Sequence, residues 1–106
     1  MYQIFEITLK THEIDVDKNL DKIKRLNWYL NGVTLVKDDN GLQYILDLSD
    51  FTLKCVMGDL FPLSEGRWLP EDFSSREELV TSAITKLREL PLNLEICEIR
   101  RIIKHE

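Results

Sequence analysis

The 106-residue chain is poor in the residue types on which familiar site chemistry is built. It has four glycines, two cysteines, two histidines and three prolines. There is no Gly-x-x-x-x-Gly-Lys loop, no Gly-x-Gly-x-x-Gly and no nucleophile elbow, so no backbone cradle for phosphate is expected. An iron–sulfur cluster takes four thiolates, more than Cys55 and Cys97 supply. Without a Cys-x-x-Cys, and with only His12 and His105, nothing has the spacing of a zinc site. No cofactor or metal is expected.

Long apolar runs are missing too, and none approaches the ~20 residues of a transmembrane helix. The opening Met1-Tyr2-Gln3-Ile4-Phe5-Glu6 lacks the basic start and apolar core of a signal peptide. A cytoplasmic protein with no membrane association is therefore expected. A formal charge of −5 argues against direct, electrostatically driven binding of nucleic acid.

What is present suits one compact domain over residues 1–106: 43% hydrophobic and 31% charged residues, neither disordered nor membranous. The acidity is concentrated. Between Asp38 and Asp72 stand Asp38, Asp39, Asp47, Asp50, Asp59, Glu65, Glu71 and Asp72 against Lys54 and Arg67, eight acids less two bases, or −6. The remainder, 11 acids and 12 bases, is +1. The plain reading is a solvated surface that keeps a small protein soluble; the functional one is an acidic face for a basic partner. Cys55 and Cys97 both sit in alternating apolar stretches and read as small buried hydrophobes.

The periodicity orders the elements. Phe5, Ile7 and Leu9 alternate with Glu6, Thr8 and Lys10, a strand with one wet face. Asp17 is a candidate N-cap for a helix of about 13 residues, with Leu20, Ile23, Leu26, Asn27 and Leu30 on one face and Asn31-Gly32 as its stop. Trp28, on that helix, points partly away from the apolar face, as an edge packer or a contact residue. Val33 to Lys37 is a short strand, and Asp38-Asp39-Asn40-Gly41 is a hairpin turn. Leu42, Tyr44, Leu46 and Leu48 share a face of the next strand; Ser49-Asp50 turns the chain into Phe51, Leu53, Cys55 and Met57. Ser75 and Glu78 form a capping box for a helix carrying Leu79, Val80, Ala83, Ile84, Leu87 and Leu90, stopped at Pro91. Leu94 to Ile103 is short and isoleucine-rich, which favours strand.

Strand, helix, two or three strands, helix, strand is the order of an α+β, ferredoxin-like split β-α-β fold. Two helices would pack on one face of a four- or five-stranded antiparallel sheet, with the first and last strands adjacent or near its centre.

That fold hosts many functions, so each must be tested on residues. RNA recognition needs aromatics on an open sheet face, but Tyr44 shares its face with three leucines and reads as core. Asp38-Asp39-Asn40-Gly41 cannot be a calcium loop: the acids do not fall at the required positions before the glycine, and strands flank it. For acid–base chemistry only His12 with Glu13 and Asp15, and Glu71-Asp72, stand out, and a loop histidine and helix-dipole acids account for both. No enzyme is expected.

Gly58 to Phe73 has no clear period, and it carries Phe61, Arg67 and Trp68 among Asp59 and Glu65. It is either a plug folded over the core or a contact surface anchored by Arg67-Trp68. The expected function is a small acidic, non-enzymatic binding or inhibitor protein that covers a basic surface of a protein partner. Phage-type inhibitors of nucleic-acid-handling host-defence complexes are proteins of this kind. Its expected contacts are Asp38, Asp39, Asp47, Asp50, Asp59, Phe61, Glu65, Arg67 and Trp68. The alternative is a dimeric regulatory or ligand-sensing domain that pairs edge strands through Ile102 and Ile103. Monomer and homodimer both fit.

Overall fold

The computed structural model describes residues 2–11, 15–39, 42–57 and 76–105. Among them are six strands and two helices: β1 (Tyr2–Thr11), α1 (Leu20–Arg25), β2 (Tyr29–Asn31), β3 (Thr34–Asp39), β4 (Leu42–Asp47), β5 (Thr52–Met57), α2 (Arg76–Glu89) and β6 (Leu94–His105). The strands form one antiparallel sheet in the order β2-β3-β4-β5-β1-β6. Its six strands exceed the four or five expected, and β2 is the surplus.

The alternation read in the sequence fixes which face is buried. Phe5, Ile7 and Leu9 of β1, Leu35 of β3, Leu42, Tyr44 and Leu46 of β4, and Leu53 and Cys55 of β5 form one core with Ile23 of α1 and Ala83 and Leu87 of α2. Both helices therefore lie on the same face of the sheet. Register explains the coherence of that core: Leu35, Leu46, Leu53 and Ile7 are successive cross-strand partners and all are fully buried. Burying a side chain of this size contributes about 1.5–3 kcal/mol. Lys86 of α2 lies 5.0 Å over the Tyr44 ring, which sets α2 across β4.

The first helix is where local reading and structure part. α1 has six residues rather than about 13, and its N-cap is Asn19, not Asp17. Asp15 prepares the start: its Oδ1 accepts a bond from the Lys18 backbone N–H at 2.9 Å. At the other end Asn27 takes φ 65°, the Asn27 N–H donates to Lys24 O and the Trp28 N–H donates to Ile23 O. These paired bonds are a Schellman motif with asparagine at C′, which ends the helix four residues before Asn31-Gly32. The chain turns inward, and Trp28 becomes 1% exposed core, not a contact residue. Asn31-Gly32 does a different job. Gly32, at φ 61°, and Val33 form the two-residue turn between β2 and β3, with Asn31 opposite Thr34. A positive φ at the first turn residue alone is the type II′ pattern.

Three smaller corrections follow from the same geometry. Phe51, at φ 56°, belongs to the β4–β5 turn, so β5 begins at Thr52. Cys55 is buried as expected, whereas Cys97 is exposed. The pairing of β1 with β6 skips Cys97, between Thr8↔Glu98 and Leu9↔Ile96, and this bulge on an edge strand takes its side chain out of the alternation. The last segment is a strand, as its composition suggested, and it pairs with β1.

Candidate functional site

Four of the nine expected contact residues lie within the described structure. Asp59, Phe61, Glu65, Arg67 and Trp68 fall outside the described residues, with His12, Glu13, Asn40, Gly41 and the rest of Gly58–Phe73. The four that can be placed sit on the β3–β4 hairpin and the turn that follows it.

Asp38 is exposed near the end of β3 and stands opposite Gln43, whose Nε2 donates to its Oδ1 at 2.7 Å. Asp39 is the next residue, opposite Leu42. Asp47 closes the other end of β4. Its Oδ1 accepts from the Ser49 backbone N–H at 2.7 Å and from Ser49 Oγ at 2.5 Å. The Ser49 hydroxyl first, then the Ser49 N–H, hold its carboxyl below the usual carboxylate range, with the Asp50 backbone N–H and the charge of Lys54 acting in the same direction. Asp50 is exposed and accepts from the Thr52 N–H at 3.0 Å. Such short-range bonds from aspartate to the backbone two residues on are what make this residue type build turns.

The structure does not gather these acids into one cluster. Asp38 and Asp39 stand at one end of the hairpin and Asp47 and Asp50 at the other. Four residues of strand separate Asp38 from the level of Thr34 and Asp47, about 13 Å. Asp38 and Asp47 do share a face. It is the face opposite the helices, because their neighbours Leu35 and Leu46 point into the core.

Register spells out that face as rows across the sheet. One row runs Asn31, Thr34, Asp47, Thr52, Thr8, Glu98; the next runs Tyr29, Val36, Ile45, Lys54, Glu6, Arg100. Its charge is uneven. Asp38 and Asp47 make the β3–β4 part acidic, whereas Lys54, Glu6 and Arg100 alternate in sign across β5, β1 and β6. Among the described residues, the acidic part of this face is the β3–β4 hairpin.

Sequence reasoning overlooked the exposed apolar residues at the sheet edges. Tyr29, Leu30 and Val33 are 42%, 40% and 62% exposed at β2 and its turn. The signal was available: Asn31-Gly32 between Trp28-Tyr29-Leu30 and Val33-Thr34-Leu35 is as good a hairpin signature as Asn40-Gly41. Ile99 on β6 is 43% exposed.

A cleft of about 430 Å³ opens below the C-terminal end of α2, floored by Leu9, Leu87 and Leu94 and rimmed by Arg88 and Glu95. It joins no nucleophile to a base. Among the described residues no three of His, Cys, Asp or Glu come together to hold a metal ion, and no helix is long and apolar enough to cross a membrane. The chain matches no protein-family model, no curated protein and no solved structure.

Proposed function

We propose that this chain is a non-enzymatic binding protein that covers a basic surface of a protein partner with its β3–β4 hairpin. The observation that carries the reading is the fixed presentation of Asp38, Asp47 and Asp50. Each carboxylate is oriented by a named hydrogen bond on a packed sheet. Charges held this way lose little side-chain freedom on binding, which is what makes a preorganised surface effective. Electrostatic complementarity of this kind raises association rate and selects partners. Carboxylates fixed on a rigid sheet face can stand in for phosphate charge, and on that ground we favour, as the partner, a protein with a phosphate-binding channel. An inhibitor of a nucleic-acid-handling host-defence complex is the finer form of this reading.

The fold reading has a finer form as well. β5 and β6 run parallel with β1 between them, joined through α2, and β1 and β4 run parallel with β5 between them. Two interleaved β-α-β units of this kind support a ferredoxin-like core of β6-β1-β5-β4, extended at one edge by the β2–β3 hairpin.

The test is affinity capture from the native host with mass spectrometry, using the wild-type chain beside an Asp38→Lys/Asp39→Lys variant. These two positions are preferred because Asp47 and Asp50 also build the β4–β5 turn. A partner with a basic surface that the wild type retains and the variant loses, with capture weakening as salt rises, supports the reading. Equal retention by both proteins rejects it.

A further inference from the structure

The outer edge of β6 pairs with no strand among the described residues. At 12 residues β6 is the longest strand, against three in β2 at the opposite edge. An edge of this length presents a row of backbone donors and acceptors that natural proteins either blunt or use.

Its centre carries one apolar residue between two charges of opposite sign. Ile99 stands opposite Ile7 on the helix-covered face, yet it is 43% exposed where Ile7 is fully buried. Among the described residues β6 has a strand neighbour on one side only, whereas β1 has one on each side. On the other face, Glu98 and Arg100 stand opposite Thr8 and Glu6, and both are exposed.

We propose that β6 pairs antiparallel with the β6 of a second copy of this chain, about a two-fold axis at Ile99, joining two six-stranded sheets into one. The symmetry restricts the register. In a two-fold antiparallel pair, facing side chains must lie on the same face, so one residue must face its own copy. A centre at Glu98 sets two carboxylates against each other, and a centre at Arg100 sets two guanidinium groups together. A centre at Ile99 sets isoleucine on isoleucine. It also places each Glu98 opposite the second copy's Arg100, two opposite-charge pairs from one residue spacing. Cross-strand partners are about 4.5–5.5 Å apart at Cβ, where opposite charges stabilise and like charges destabilise.

Charges and bulges are also how monomeric proteins blunt an edge, and the bulge at Cys97 belongs to that repertoire. A charge blunts an edge when the approaching strand leaves it unpaired or sets a like charge against it. Glu98 and Arg100, of opposite sign on either side of the symmetry centre, attract a second copy. The interface is isologous and closed, so assembly stops at two. It leaves the acidic hairpin free, since three strand spacings, about 14 Å, separate β4 from β6.

Light scattering after size exclusion should give twice the 12.5 kDa chain mass. Glu98→Arg and Arg100→Glu, each alone, should weaken the dimer by about tenfold or more, because each creates two like-charge contacts. The double variant Glu98→Arg/Arg100→Glu restores complementarity and should return the dimer. An independent arm keeps both charges. Ile99→Cys in a Cys97→Ser background, oxidised with diamide, should give a covalent dimer, since directly facing strand residues lie within disulfide reach. Circular dichroism establishes that each variant is folded, and the cross-link decides if a charge variant is not. A wild-type monomer over the accessible concentration range overturns the proposal. So does a dimer that both single reversals leave intact, or one that Ile99→Cys does not cross-link.

Discussion

At the scale of single residues, Asn27 decides where the first helix ends. It occupies φ 65°, and the two bonds that close the Schellman motif depend on that conformation. Only glycine and, less freely, asparagine or aspartate enter this region without a Cβ clash. Asn27→Gly should therefore leave thermal stability unchanged or slightly higher, whereas Asn27→Val should cost about 1–2 kcal/mol, read from paired urea titrations. Asp47 makes a prediction in pH. Its carboxyl is held below its ordinary range by Ser49, so the folded state releases this proton more readily than the unfolded chain. The stabilisation is present above the usual carboxylate range and disappears as pH falls through the lowered folded value. Asp47→Asn removes that contribution, so the variant's stability should vary less with pH in the acid range. Denaturant midpoints measured between neutral pH and pH 3 check it; parallel curves for both proteins would contradict the assignment.

Elements explain why so short a helix persists. An isolated six-residue helix does not survive in water, because nucleation costs more than so few bonds return. Tertiary contacts hold α1 instead. Ile23 is fully buried, Trp28 packs into the same core just past the helix, and Lys37 Nζ donates to Leu26 O at 2.6 Å from β3. That lysine satisfies a carbonyl at the helix C-terminus, where a positive charge also meets the favourable end of the dipole. Lys37→Met keeps the aliphatic stem and loses the bond; about 1–2 kcal/mol of destabilisation is expected in chemical denaturation. Trp28→Ala leaves a large void and should cost about 3–5 kcal/mol, enough to lower the melting temperature by many degrees.

For the whole molecule, the sheet sets a gradient of stability. β1 is paired on both sides, by β5 and β6, whereas β2 has three residues, all exposed, and one neighbour among the described residues. Amide exchange should be slowest for the inner residues of β1, β4 and β5, such as Ile7, Leu46 and Leu53, and fast in β2. Hydrogen-exchange mass spectrometry resolves this directly. Protection in β2 equal to that in β1 would contradict this gradient. The uneven charge belongs to this scale as well. Of the residues behind the −6 counted between Asp38 and Asp72, the described ones are Asp38, Asp39, Asp47 and Asp50 against Lys54; these acids fall on one hairpin and one turn, while the far half of the same face is mixed.

Much of this architecture is legible in local sequence. Alternation in β1, β4 and β5 named the buried side of each strand, because a pleated strand commits every second residue to one face. Spacing of three and four did the same for Val80, Ala83, Ile84 and Leu87 on α2. Tertiary context decided the rest. Leu26 and Leu30 kept helical spacing with Ile23, yet the sheet could accept another edge strand, and Asn27 allowed the chain to turn into it. Asn-Gly serves a helix end or a hairpin equally well, and only the presence of β3 as a partner selects the hairpin. Cys97 looked buried because alternation cannot reveal a bulge, which exists only relative to the neighbouring strand. The acids were visible as a count, but their separation to opposite ends of the β3–β4 hairpin is a matter of register. Charge and periodicity are properties of the chain; which charges face one another, and which edge is left open, are properties of the assembled sheet.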